Sequence, residues 1–242
     1  TIPAEGQDRQ VHDNLKELVS NKKDNQEIFD DITSRHVNAY YSTIVKGLTA
    51  KVFRTYLASN VVSKYLREYD NIKSESDMKK IFHAKLANLD AAKMCNHKRT
   101  IPKNFEQALQ KKKDTLHNVK KAKPWQKSEE SLKKAESKIT KTKKQKELQK
   151  ERIKKMKTMI KKQKVKHTER IEKLQLQIDL TQKTRDYNLG TSLRNYIDPR
   201  IFKTWTDEVS AEWEKLYTSA LQKKFLWVKT IDSDWNEISK QY

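Results

Sequence analysis

The stretch KERIKKMKTMIKKQKVKHTERIEKLQLQI, residues 150–178, is rich in lysine and contains neither glycine nor proline. Its apolar residues recur close to heptad spacing, at Ile153, Met156 and Ile160 and then at Ile171, Leu174 and Ile178. Similar spacing occurs earlier in the chain at Phe105, Leu109, Leu116 and Val119. Two consecutive helices with narrow apolar stripes indicate an antiparallel coiled-coil hairpin, which we assign to residues 103–186.

The turn of this hairpin can be placed in two ways. Pro124 interrupts the first arm, and Ser128 followed by Glu129 and Glu130 is a favourable start for a new helix. A turn at Pro124 would leave the two arms very unequal in length. A tip near Thr140–Lys144 balances them better.

The segments on either side of the hairpin are richer in core residues. In residues 1–102, a helix is predicted from Ile32, Val37, Tyr40, Tyr41, Ile44 and Leu48, with Gly47 ending it. A second helix offers Val52, Phe53, Tyr56, Val61, Val62 and Tyr65 for its buried side, and Ser76 is a candidate cap for a third. Residues 187–242 carry a dense aromatic set that includes Trp205, Trp213, Trp227 and Trp235. The predicted fold is mainly α, with a helical subdomain before the hairpin, a protruding hairpin and a small helical C-terminal domain.

The charge of the chain favours a polyanionic partner. Lysine and arginine total 53 of the 242 residues against 32 acidic residues, which gives a net charge of +21 and a pI near 9.8. A field of this sign attracts nucleic acid or an anionic membrane surface. A soluble chain with one lysine-rich, solvated helix would have the same composition.

Several other classes are excluded by composition. The 3 glycines and 4 prolines are too few for an all-β sandwich or a glycine-rich phosphate loop. Cys95 is the only cysteine, so an internal disulfide and a cysteine-based zinc site are ruled out. The histidines show no metal-ligand spacing, and no apolar run approaches the roughly 18 residues that span a bilayer. We expect an intracellular protein without a metal or another cofactor.

Three residues could carry chemistry, although each also has an ordinary interpretation. Arg54 lies among apolar and aromatic neighbours and could hold a phosphate through two hydrogen bonds, or it could be a surface ion-pair partner. His97 follows the core helices and could donate to a phosphate oxygen, or it could be a solvated helix end. Tyr196 precedes Asp198 and Pro199 in a segment with turn signals, where a tyrosine is usually a packing residue.

Three segments resemble the motifs of eukaryotic-type topoisomerase IB, in the family's order. They are LTAKVFRTYLAS at Leu48–Ser59, CNHKR at Cys95–Arg99 and LGTSLRNYIDPRI at Leu189–Ile201. A lysine-rich hairpin separates the second from the third, as in the family. The resemblance covers the chain from about Val11 to its end. It implies a DNA substrate and a DNA-associated location, in a nucleus or on a nucleoid.

The resemblance assigns roles at the matching positions. It implies that Tyr196 is the nucleophile and that Arg54 and His97 bind the scissile phosphate. For Asn195, Lys51 and Asn96 we expect contacts with DNA. Two positions depart from the family pattern, Leu57 where asparagine is usual and Lys98 where glutamine is usual.

One part of the family's active site is not found in this sequence. A second catalytic arginine and a general-acid lysine lie upstream of the matching segments in the family, so the chain would need the missing upstream catalytic segment of the same enzyme. We expect the sequence to be part of a longer enzyme rather than one subunit of a split enzyme.

Two rival functions share parts of this pattern. Tyrosine recombinases use the same arginine, histidine and tyrosine, but they carry HxxR around the histidine, where this chain has His97-Lys98-Arg99, and they lack a long basic hairpin. A non-catalytic DNA-binding coiled-coil protein would match the charge and periodicity alone.

Overall fold

The computed structural model describes residues Gly6–Tyr242, and helices account for most of them. The first five residues of the predicted domain 1–102 lie outside the described part. The α-helices are α1 (Arg9–Ser20), α2 (Ser34–Ile44), α3 (Ala50–Arg67), α4 (Asp77–Met94), α5 (Phe105–Lys121), α6 (Gln126–Glu136), α7 (Lys143–Lys183), α8 (Leu189–Asn195), α9 (Pro199–Glu208), α10 (Ser219–Lys224) and α11 (Trp235–Lys240). The predicted mainly α fold class is confirmed. Within this described range, no helix combines the length and the apolar character needed to cross a membrane.

The chain divides into two compact units, residues 1–54 and 55–242. In the first unit, the ring of Tyr41 on α2 lies 5.1 Å from the ring of Phe53. The side chain of Asn38 accepts a hydrogen bond from the backbone N–H of Ala50 at 3.0 Å, which fixes the start of α3 relative to α2. Gly47, with φ of +82°, lies in the turn between these two helices.

The sequence predicted more burial in the first half of α3 than the structure has. Val52, Phe53 and Tyr56 are 47%, 48% and 50% exposed, so the prediction that they lie on the buried side was wrong. The predicted helix around α2 was also too long, because Ile32 and Leu48 lie outside Ser34–Ile44. Apolar periodicity shows which face of a helix could be buried, but tertiary packing decides which part of that face is covered.

The core of the second unit joins helices α3 and α4 to the aromatic tail. Small and apolar residues of α3 and α4 pack with Ile201, Phe202 and Trp205 of α9, all three fully buried. Trp213 and Trp235 complete this cluster. Trp227, the remaining tryptophan of the aromatic set, is 50% exposed. Ser76 caps α4 by accepting a hydrogen bond from Lys79 N, as predicted from the sequence.

Helices α5, α6 and α7 form the predicted antiparallel coiled coil. Both α5 and α6 pack along α7, and the seam is narrow, with Phe105, Leu109 and Ile178 as its main cluster. Farther along, Ala135 and Ile160 are buried, and ion pairs join Lys157 to Glu136 at 2.9 Å and Lys164 to Glu129 at 2.7 Å. The remaining surface of α7 is lysine-rich and exposed.

The turn of the hairpin lies at residues 137–142, between α6 and α7. This agrees with a tip near Thr140–Lys144, where Thr142 caps α7 by accepting from Gln145 N at 3.3 Å. Pro124 marks a break inside the first arm, and α6 begins at Gln126, earlier than the predicted start at Ser128. The predicted boundaries at 102 and 186 stay a prediction.

Candidate active site

The backbone at the end of α4 fixes the direction of His97. Asn96 has φ of +54°, a left-handed conformation that asparagine tolerates better than most residues. The N–H of His97 donates to the carbonyl of Ala92 at 2.8 Å, and the N–H of Asn96 donates to that of Lys93 at 2.9 Å. These two bonds form a Schellman motif, which ends the helix and turns the chain sharply. Asn96 therefore has a conformational role in presenting His97.

After this turn the chain pairs with the segment that follows the hairpin. Lys98 and Tyr187 form an antiparallel bridge. The N–H of Asn188 donates to the carbonyl of His97 at 2.8 Å, and the N–H of Arg99 donates to that of Asp186 at 2.9 Å. His97 is thus joined by backbone hydrogen bonds to the residues that lead into α8.

Helix α8 is locked onto α4 by a buried polar pair. Asn88 of α4 donates to the carbonyl of Leu189 at 3.0 Å and accepts from the hydroxyl of Ser192 at 2.6 Å. Both Asn88 and Ser192 are buried, so these bonds replace water that the two side chains have lost. The side chain of Asn188 caps α8 by accepting from Gly190 N at 3.0 Å. The lock fixes the helix that ends immediately before Tyr196.

The structure brings His97 and Tyr196 together. Tyr196 lies just after α8, with its N–H donating to the carbonyl of Ser192 at 2.9 Å. Its ring centroid is 5.2 Å from that of His97, with 36° between the ring planes. Both residues are half-buried. A phenol and an imidazole at this distance could act on the same phosphate group.

The residues that follow Tyr196 are held by a polar network, which we call the Asp198 network: Ser59, Asp198, Arg200 and Tyr242. The backbone N–H of Asp198 donates to Ser59 Oγ at 3.0 Å. Its carboxylate accepts from Arg200 Nε at 2.8 Å, from Arg200 Nη2 at 2.6 Å and from Tyr242 Oη at 2.7 Å. The carboxylate also caps α9 by accepting from Arg200 N at 2.9 Å.

The other predicted site residues are exposed, and two of them belong to the first unit. Arg54 and Lys51 lie on the exposed first half of α3, within residues 1–54. Asn195 and Asn96 are exposed in the second unit, beside Tyr196 and His97 in the sequence. The roles of all four as phosphate or DNA contacts stay predictions.

Sequence reasoning did not single out Asn88, Ser192 or the role of Asp198. Asn88 has a weak signal, a polar residue on a face of α4 made of Ala84, Ala87 and Ala91. Asp198 before Pro199 is a helix-start pattern that predicts a capping role. Neither pattern reveals the distant partners Ser192 and Tyr242, because those contacts depend on the tertiary fold.

Two known families match parts of this chain. Residues 4–131 match the family described as the eukaryotic DNA topoisomerase I catalytic core, which is more than half of the chain. Residues 168–237 match the family described as the C-terminal topoisomerase domain. The second match includes Tyr196, Asp198 and Arg200, and the first includes Arg54, Ser59 and His97.

Curated relatives extend the match to nearly the whole chain. DNA topoisomerase 1 of Rattus norvegicus is 31% identical over 97% of this chain, and the Homo sapiens protein of the same name gives the same values. DNA topoisomerase 1 of Drosophila melanogaster is 30% identical over 91% of it. The chain spans 29% of the length of the first two relatives. With its motifs, its basic hairpin and its paired histidine and tyrosine, the chain belongs to the eukaryotic DNA topoisomerase I family.

Proposed function

We propose that this chain carries the nucleophile of a type IB DNA topoisomerase, which relaxes supercoiled DNA by cutting and rejoining one strand. The observation that carries the proposal is the 5.2 Å approach of the Tyr196 and His97 rings. The two residues come from motifs at opposite ends of the hairpin, and backbone pairing at Lys98 and Tyr187 joins those ends.

The reaction follows from the chemistry of a phenol and a phosphodiester. The oxygen of Tyr196 attacks the backbone phosphorus and forms a P–O bond, while the bond from phosphorus to the 5′ oxygen breaks. The phenolic proton is lost, the departing 5′ oxygen gains a proton and leaves as a hydroxyl, and a 3′-phosphotyrosine remains. Because this ester keeps the free energy of the broken bond, the reverse attack rejoins the strand without ATP.

His97 would stabilise the transition state of both steps. Negative charge builds on the non-bridging phosphate oxygens as Tyr196 attacks, and a donor fixed beside them stabilises the transition state more than the ground state. The Schellman motif at Asn96 and the pairing of His97 with Asn188 hold this donor in place before DNA binds.

We infer that Arg54 supplies a second phosphate donor, and that the remaining groups come from the upstream catalytic segment that the resemblance implies. The resemblance implies an arginine and a general-acid lysine in that segment. General-acid catalysis raises a reaction rate by about 10²- to 10⁴-fold. The first unit also exposes large apolar side chains, with Tyr40 64% and Ile44 61% exposed. Such a surface supports burial against more protein.

Double-stranded DNA is the substrate that the family and the positive charge together support best. The exposed lysines of α7 would follow the duplex beyond the cleavage site, adding affinity without sequence preference and slowing rotation of the cut duplex. Asn195, Lys51 and Asn96 are proposed as further DNA contacts.

The test joins this chain to the upstream part of its catalytic core and follows relaxation of a supercoiled plasmid. We expect Tyr196→Phe to abolish relaxation and to leave no covalent link between protein and a DNA 3′ end. Tyr69→Phe is the matched control, because it removes a phenol hydroxyl from a ring stacked on His83, and it should relax the plasmid at the normal rate.

The outcome separates the rival functions. A non-catalytic DNA-binding protein would bind the plasmid and form no covalent complex with either residue at position 196. A recombinase would form the covalent complex and exchange strands between two DNA molecules. Relaxation that survives Tyr196→Phe would show that the nucleophile is another residue.

A further inference from the structure

We propose that Tyr242 is a positioning residue for the cleavage reaction, which acts on Tyr196 through the Asp198 network. This inference rests on the proposed function of Tyr196 as the nucleophile. The hydroxyl of Tyr242 donates to the Asp198 carboxylate. It holds Asp198, and only Ile197 separates Asp198 from the nucleophile in the chain.

The backbone of Tyr196 is restrained on both sides. Before it, the buried pair of Asn88 and Ser192 locks α8 onto α4. After it, Ile197 is buried and the N–H of Asp198 donates to Ser59 Oγ, which is fully buried on α3. Such restraint raises the rate of attack by the Tyr196 oxygen, because small displacements from the attack geometry lower that rate strongly.

Tyr242 forms part of the second restraint. Its hydroxyl donates to the Asp198 carboxylate at 2.7 Å, and its ring lies 5.8 Å from that of Tyr56 on α3. Its backbone carbonyl accepts a hydrogen bond from Arg67, also on α3. Tyr242 thus connects Asp198 to the same helix that provides Ser59.

The charges in the Asp198 network strengthen the hydrogen bond from Tyr242 to Asp198. The Asp198 side chain is 11% exposed, and its negative charge is paired with Arg200. Burial, and next the bond to Asp198, raise the pKa of Tyr242 to about 12. The phenol is therefore protonated at neutral pH and donates, and hydrogen bonds to a charged acceptor are the stronger kind.

The test is single-turnover cleavage by the enzyme that contains this chain and the upstream core, at saturating concentrations of an oligonucleotide that traps the covalent complex. We expect Tyr242→Phe, which keeps the ring and removes the hydroxyl, to slow cleavage roughly tenfold, the value of one charge-assisted hydrogen bond. The dissociation constant for DNA should stay unchanged. Tyr69→Phe is again the control and should cleave at the normal rate.

Two further variants separate positioning from simple stabilisation. Ser59→Ala removes the acceptor on α3 for the backbone N–H of Asp198 and should also slow cleavage at saturation. In an Asp198→Ala background, Tyr242→Phe should change the rate by less than about twofold, because its acceptor is already absent. If Tyr242 only stabilises the fold, Tyr242→Phe will have a lower melting temperature but will cleave at saturation as fast as the control. That result would overturn the inference.

Tyr196→Phe is run in parallel to separate this inference from the proposed function. If Tyr196→Phe still forms the covalent complex, the proposed nucleophile is wrong. If Tyr196→Phe is inactive and Tyr242→Phe cleaves at the normal rate, only the positioning role is wrong.

Discussion

The hydroxyl of Ser192 donates a 2.6 Å hydrogen bond to the side chain of Asn88, and both residues are buried. This contact joins the helix before Tyr196 to the helix that ends at His97. Asn88 uses its amide group as well, donating to the carbonyl of Leu189. The pair therefore sets the spacing between two elements that are far apart in the sequence.

Replacing Asn88 by alanine should lower the free energy of unfolding by about 1–3 kcal/mol, because Ser192 and the Leu189 carbonyl would lose a buried partner. Denaturant unfolding of this chain measures the change. Asn118→Ala, on the exposed surface of α5, is the matched control and should stay within about 0.5 kcal/mol. Equal values for the two variants would mean that the buried pair contributes little.

Substitutions at Asn96 should distinguish its backbone role from contact with DNA. Because φ is +54°, Asn96→Val should lower the free energy of unfolding by about 1–2 kcal/mol. The free energy of unfolding of Asn96→Gly should stay close to that of the original chain. If glycine keeps the stability and weakens DNA binding, the side chain contacts DNA. Similar unfolding of the valine and glycine variants would contradict the conformational role.

Neutralising lysines of α7 should reduce the salt dependence of DNA binding. Lys154, Lys161 and Lys162 are exposed, and replacing all three by glutamine should lower the slope of log K against log salt by about 1 for each lost phosphate contact. The control replaces Lys73, Lys223 and Lys240, which removes the same charge outside the hairpin. Equal slopes for the two triple variants would show that α7 does not follow the duplex.

The stability of the second unit should depend on pH through His83. Its imidazole lies 3.3 Å from the hydroxyl of Tyr65 and stacks on Tyr69. Burial, and next the charge of Lys183, lower the pKa of His83 below its ordinary value of 6.5. The unfolded chain therefore binds a proton at higher pH than the folded chain does, and the stabilisation present above pH 6.5 is lost as the pH falls below that value.

Chemical unfolding between pH 7.5 and 5 would measure this contribution. The free energy of unfolding of His83→Phe should depend less on pH than that of the original chain. His117→Gln, at an exposed position of α5, should keep the original dependence. If the dependence is unchanged in His83→Phe, other groups are responsible for it.

Local patterns in the sequence predicted the elements better than the contacts between them. The cap at Ser76 and the seam at Phe105 and Leu109 depend on nearby spacing, and both are present. The exposure of Phe53 was not predictable, because it depends on which neighbours cover the first half of α3.

The candidate site was predictable only through its motifs. Tyr196 alone looks like an ordinary loop tyrosine, and no local pattern predicts that its ring lies beside His97. That approach depends on the Asn96 turn and on the Asn88 lock, which act across long separations in the sequence. The resemblance supplied the ordering of the motifs, and the structure supplies the geometry that joins two of them.

The pairing of Arg99 with Asp186 has a consequence for how this architecture can vary. The residues where the hairpin begins and ends lie next to each other, so α5, α6 and α7 form an insertion whose two ends are held together. Adding or removing helical turns at the tip changes the length of the hairpin and leaves the distance between its two ends unchanged. The entropic cost of closing a longer loop grows slowly with its length. The reach of the basic arms along DNA can therefore change in evolution or by design while His97 and Tyr196 keep their separation.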